Sequence, residues 1–210
     1  MTSRTAAVFD AAEVSSPAAY GPAQTALILG DYQNIILGMA GEPGKNTVVV
    51  ASELRSWAAQ HGVPIIHTLI GFDDAPAPTS RFARRWGGMV GMIDSDPSLG
   101  DEAKSIANVG DVTVHRKAGL MSAMTSPEVC DLLAAKGIKS LIVSGIASSG
   151  VVLSTARAAH EEGYVVTIVE DACADRLVKT HEIMMEDVLA TAHVAKAEEV
   201  KSALGKAWSR

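Results

Sequence analysis

A chain of 210 residues with a net charge of −6, 48% hydrophobic but only 4% aromatic, fits one domain around one core and lacks the clustered Lys and Arg that phosphate binding requires. No stretch approaches the roughly 20 apolar residues of a bilayer span, and Asp10 and Glu13 interrupt any apolar run after Arg4, so neither nucleic acid nor a membrane is expected as a partner. Cys130 and Cys173 lie far apart and form no metal-type spacing, which points to free thiols and a cytoplasmic compartment.

Residues 1–23, rich in Ala, Ser and Pro, read as an N-terminal arm in which Pro17 and Pro22 oppose regular structure; the domain proper is expected over 24–210. The continuous apolar run Ala26–Gly30, ending at Asp31, predicts a first buried strand. A helix is predicted over Thr47–Gln60, closed by Gly62, and a second strand over Val63–Leu69. The region 71–110, with Pro76, Pro78, Pro97 and several glycines, reads as a long irregular connection of the kind that carries binding groups or a lid. Val112–His115 is a short third strand, and Ser126 with Pro127 starts a helix running to Lys136. A strand at Ser140–Ser144, a helix at Val151–Glu162, a strand at Val165–Val169, a helix at His181–Leu189, a strand at His193–Ala195 and a helix at Ala197–Ala207 complete the chain. The alternation predicts an α/β fold: a Rossmann-like three-layer sandwich, its six-stranded sheet mostly parallel, with helices on both faces.

In such a sheet ligands bind beyond the carboxyl ends of the strands, where the strand order reverses. The strand ends supply Asp31, then Ile70 and Phe72, then Arg116 and Lys117, and finally the turn Gly145–Gly150. Burial after an apolar strand raises the pKa of Asp31 and a neighbouring cation lowers it; the sequence leaves the winner open.

These residues carry a resemblance. Asp31-Tyr32-Gln33-Asn34, the stretch His115–Ala123 with Lys117 ahead of Ser122-Ala123, and above all Ser144–Arg157, continued by Gly163-Tyr164 and Val169–Ala174, resemble the motifs of the isochorismatase-like (cysteine hydrolase) superfamily over about residues 24–198. The resemblance implies a hydrolase whose catalytic groups are Asp31 and Lys117, with a cis peptide at Ile146-Ala147 and an oxyanion hole made by the backbone amides of Ala147 and Val151. It also implies a homo-oligomer, a dimer or a tetramer, acting on a small-molecule substrate.

Two departures stand out. The family's nucleophilic cysteine aligns with Val151, whose isopropyl group can neither attack a carbonyl nor carry an acyl group. Lys117 lies five residues before Ser122 where the family lysine lies four before, and Arg116 beside it is the second claimant, disfavoured because a guanidinium does not give up its proton. Ser148 and Ser149 do not have nucleophile-elbow spacing, no histidine is evidently placed to activate them, and they read as helix-capping hydroxyls. Cys173 and Cys130 read as structural.

The loop residues Arg81, Arg84 and Trp86, with Ile70 at the position where isochorismatases place a glutamine, are the candidate substrate contacts; a solvated basic surface is the competing reading. His67 falls inside a strand and reads as a satisfied core histidine. No metal is expected, because the Asp-x-His cluster of the metal-binding nicotinamidases is missing, and no dinucleotide, because no Gly-x-Gly-x-x-Gly comes after the first strand. Two functions are compatible with these residues: a hydrolase using Asp31/Lys117 acid–base chemistry without a thioester, as in vinyl-ether cleavage by isochorismatases, or a catalytically silent relative that binds a small molecule or a protein partner.

Overall fold

The computed structural model describes residues 7–209. Six strands, β1 (Thr25–Gly30), β2 (Ile65–Ile70), β3 (Val112–Arg116), β4 (Ser140–Ile146), β5 (Val165–Ala174) and β6 (His193–Ala195), form one sheet in the order β3-β2-β1-β4-β5-β6. Every neighbouring pair is parallel. The central strands β1, β2 and β4 are buried at every residue, which is why their apolar character is continuous rather than alternating. Strand order reverses between β1 and its neighbour β4, so the ends of these two strands define the switch point.

Alternation along each strand divides the core between two faces. Leu27, Leu29 and Ile142 pack with Ala51, Leu54 and Ala58 of α2 (Glu42–Gln60) and with Val200 and Leu204 of α7 (Ala197–Trp208). Ala26, Ile28 and Val143 face the other way, onto Val129 and Leu133 of α4 (Pro127–Ala135) and Ala156 and Ala159 of α5 (Leu153–Glu161). Helices therefore cover both faces, as the strand–helix alternation predicts.

Two helices lie where the sequence suggests none. A short α1 (Asn34–Ala40) comes after the first strand, and α2 begins at Glu42 rather than Thr47, the two separated by Gly41 at φ +69°. The connection 71–110 contains α3 (Phe82–Ser95), whose Trp86 and Met89 pack with Ile35, Ile70 and Ala118 in a third cluster. Gly87, Gly88 and Gly91 weaken its helical propensity, and tertiary burial of its apolar face outweighs them. α6 (Val178–Ile183) starts three residues before the expected His181 and passes into a wide π-type turn over Met184–Val188.

Of the arm, residues 1–6 lie outside the described residues. The rest lies on its own chain: the short turn Pro17–Ala19 contacts α7, the Trp208 indole donates to Tyr20 O at 2.8 Å, and the Val8 N–H donates to His193 Nδ1 at 3.2 Å.

Candidate active site

Asp31 is the residue on which the site is built. It leaves β1 with φ +56°, a left-handed backbone that Asp tolerates better than most side chains, and its N–H still donates to Thr68 O of β2 at 3.0 Å. Its carboxylate accepts from Nη2 of Arg116, and the two side chains are 5% and 1% exposed. Arg116 Nη1 donates to the carbonyls of Leu120 and Met121, so the guanidinium ties the loop after β3 to the end of β1. Burial pushes the Asp31 carboxyl up to about 6 even though Arg116 pulls it down, which resolves the competition that the sequence leaves open.

The cation on Asp31 is thus Arg116 and not Lys117. In β3 the alternation of strand side chains buries Val114 and Arg116 on one face; Arg116 stands opposite Ile70 of β2, and Lys117, one residue beyond the strand, is exposed. The end of β2 is fixed by Gln33, whose side-chain amide donates to Ile70 O at 3.1 Å and whose carbonyl accepts from Ile70 N at 2.8 Å.

The second half of the site is the turn after β4. The Ile146–Ala147 peptide is cis, the Gly150 N–H returns to Ala147 O at 3.0 Å, and a wide π-type turn over Ser148–Val152 leads into α5. Val151 is 2% exposed and packs against Gly30: a β-carbon on that glycine would stand 2.8 Å from Val151 Cγ2. The glycine at 30 therefore leaves the room that the isopropyl group fills. Cys173 offers no substitute thiol, because it is buried in β5 and its pKa is pushed up to about 12 by that burial.

Ser149 donates to Asp175 Oδ2 through both its N–H, at 2.8 Å, and its hydroxyl, at 2.6 Å. Ser148 lies 2.8 Å from Nδ1 of His181. No sequence signal points to that histidine: it lies 33 positions further on, and only the turn of the chain after β5 brings α6 back to the β4 end. The Ser–His pair does not make a nucleophile, since Ser148 is fully buried and does not line the cavity next to Asp31.

That cavity has a volume of about 300 Å³ and is lined by Asp31, Ile70, Ile146, Ala147 and Val151, with Arg85 and Arg176 among the other walls. The structure thus brings together Asp31, Ile70, the cis peptide and Val151. Arg81 and Arg84 line a neighbouring groove, which shares Phe82, Arg85 and Met121 with the cavity. Trp86 is buried behind the wall, stacked on Phe72 with ring centroids 5.1 Å apart.

His67 sits in the middle of β2 with both ring nitrogens engaged, to Glu102 at 2.8 Å and to Asp111 at 3.1 Å. Among the described residues no group of three or more His, Cys, Asp or Glu side chains is placed to hold a metal ion, and no helix is long and apolar enough to cross a membrane.

The geometry agrees with what the chain resembles at large. The profile of the isochorismatase domain matches residues 25–199. An uncharacterized isochorismatase family protein, YecD of Escherichia coli O157:H7, is 27% identical over 86% of this chain and 96% of its own length. Among solved structures, a cysteine hydrolase from Pseudomonas syringae pv. phaseolicola 1448A shares the fold with a TM-score of 0.78 at 18% identity, covering 90% of this chain and 95% of that one. An isochorismatase from Pseudomonas putida KT2440 gives 0.66 at 25% identity over 86% and 91% of the two chains.

Proposed function

This chain belongs to the isochorismatase family, and from that premise we propose that it hydrolyses a small molecule without a covalent intermediate, with Asp31 as the general acid–base group. The observation that carries the reading is a buried carboxyl on the cavity wall whose pKa lies at about 6, within reach of neutral pH. Such a group holds a proton often enough to deliver it and releases it readily enough to take one back. Arg116 keeps its proton at any physiological pH, so it relays none; it steadies the carboxylate that remains after delivery. The cationic role that the resemblance assigns to Lys117 passes in this geometry to Arg116.

Val151 serves as cavity wall and excludes acyl transfer to its own side chain. The amides of Ala147 and Val151 do not depend on that side chain, and both residues line the cavity; in this reading they are donors that hold a carbonyl or carboxylate oxygen of the substrate. Protonation of a vinyl ether or a related acid-labile bond by Asp31, and then attack of water, fits these parts. Ile70 on the wall and Arg81 and Arg84 on the adjoining groove complete the substrate contacts in this reading, and Trp86 supports the wall from behind. A dimer or tetramer in the cytoplasm belongs to it as well. The exposed apolar side chains Leu120, Met121, Leu177 and Val178, which include or adjoin in sequence the cavity residues Met121 and Arg176, support that assembly.

A silent binding relative is favoured by one observation: the carboxylate is already bonded to a buried guanidinium. Assays with isochorismate, aryl amides and small carboxylic acids on the wild type and on Asp31→Asn separate the two. Turnover that falls about 100- to 10,000-fold in the variant supports the hydrolase; binding without turnover in either protein supports the silent relative.

A further inference from the structure

The turn that lines the cavity is held from behind by two groups that the proposed reaction does not use. Ser148 and Ser149 are consecutive, and each hydroxyl is anchored to the segment after β5: Ser149 on Asp175 Oδ2 at 2.6 Å, Ser148 on His181 Nδ1 at 2.8 Å. The backbone alone does not fix this turn. Gly150, at φ −110° and ψ −106°, departs from helical geometry, and the Val152 N–H reaches Ala147 O only at 3.4 Å.

We propose that His181 is a positioning residue of the site: through the Ser148 hydroxyl its imidazole sets the turn Ala147–Val151 against the cavity, with Asp175 acting in parallel through Ser149. Its relevance to catalysis rests on the reading of this cavity as the active site; the anchoring itself does not. His181 does not line that cavity and touches no reacting atom; it faces a smaller, mostly apolar one beside Asp171, Cys173 and Asp175.

The chemistry of the anchor makes it sensitive to pH. In the neutral ring with its proton on Nε2, Nδ1 accepts the Ser148 hydroxyl proton. Once the ring is protonated, Nδ1 becomes a donor to the Ser148 oxygen, the bond reverses, and the O–H of the fully buried Ser148 is left without its acceptor. The acidic groups around the ring are Glu170 of β5, Asp175 after it, Glu182 on the same helix and Asp171 across the small cavity. Burial pulls the His181 pKa below its ordinary 6.5 against the attraction of Glu170, Asp175 and Glu182, so the anchor is formed at neutral pH.

Hydrogen–deuterium exchange of the full chain tests the proposal without a substrate. Ser148→Ala and His181→Ala each speed exchange at 147–152 by about 10-fold and leave β1 and β2 unchanged. In the wild type, protection of the same segment, corrected for intrinsic exchange, falls as the pH drops below 6.5. His181→Asn, whose Oδ1 accepts at the Nδ1 position but does not titrate, restores protection and removes the acid loss. Unchanged exchange at the turn in Ser148→Ala, or an acid loss that persists in His181→Asn, overturns the proposal. Turnover that survives Asp31→Asn sinks the hydrolytic reading and leaves this exchange pattern intact.

Discussion

Two clusters of charge lie beside the same sheet; desolvation raises the carboxyl in each, and their cationic partners send the net shifts in opposite directions. At the end of β1, Asp31 has one cationic partner, Arg116, and its carboxyl rises to about 6. On the face of β2, Asp111 accepts from both Arg55, at 2.6 Å, and His67, at 3.1 Å, and its pKa falls below 3.8. His67 itself, between Asp111 and Glu102, is raised above 6.5 despite a desolvation that lowers it. Donors per carboxylate and residual access to water decide the sign. Asp31 lines a cavity, and His67 lies in the middle of its strand. The poorly compensated cluster is the one on the cavity wall, while the saturated one joins β2 to the segment around 102–111 and to α2.

The largest expected effect comes from removing the single partner. Arg116→Met leaves the Asp31 carboxylate without a counter-charge and costs about 3–5 kcal/mol in urea unfolding at pH 8, with a far smaller loss at pH 4, where Asp31 is protonated. An equal loss at both pH values would show that Arg116 matters for packing alone. A smaller effect is expected at the saturated cluster, because Asp111 keeps Arg55 when the histidine goes. His67→Leu costs about 1–3 kcal/mol and changes the pH dependence. His67 has a folded pKa above its unfolded 6.5, so its contribution is fully present below pH 6.5 and is lost as the pH rises through the raised value. The variant therefore lacks the alkaline decline of the wild type, and a decline of the same size in both proteins would remove His67 as its source.

The frame of the fold was legible in the sequence where the physics is local. Ala26–Leu29 and Ser140–Ser144 are apolar without interruption because both faces of β1 and β4 are covered, and Asp31 and the turn after β4 are found simply from their places at the carboxyl ends of those strands. What failed depended on distant contacts. Whether β3 stops at His115 or Arg116 is set by its pairing with β2 up to Ile70, and that single residue decides which cation reaches Asp31. α3 hides behind three glycines, and its helix is secured by Ile35, Ile70 and Ala118, which come from elsewhere in the chain. Arg85 shares the cavity because the helical turn places it with Phe82 and Met89, a spacing that cannot be read from a segment taken for a loop. His181 shares a site with Ser148 only because α6 begins three residues before that histidine and returns to the β4 end.

The proposed chemistry depends on the Asp31 carboxyl, and its ionisation can be watched directly. Carbon-13 NMR of the side-chain carboxyl, assigned through Asp31→Asn and tracked from pH 3 to pH 9, should show a titration centred near 6. Because the folded value exceeds the unfolded 3.8, stability should fall as the pH rises from 3.8 to about 6, by on the order of 3 kcal/mol. A midpoint at or below the ordinary aspartate range would mean that Arg116 holds the group as a permanent anion, with no proton to give near neutral pH.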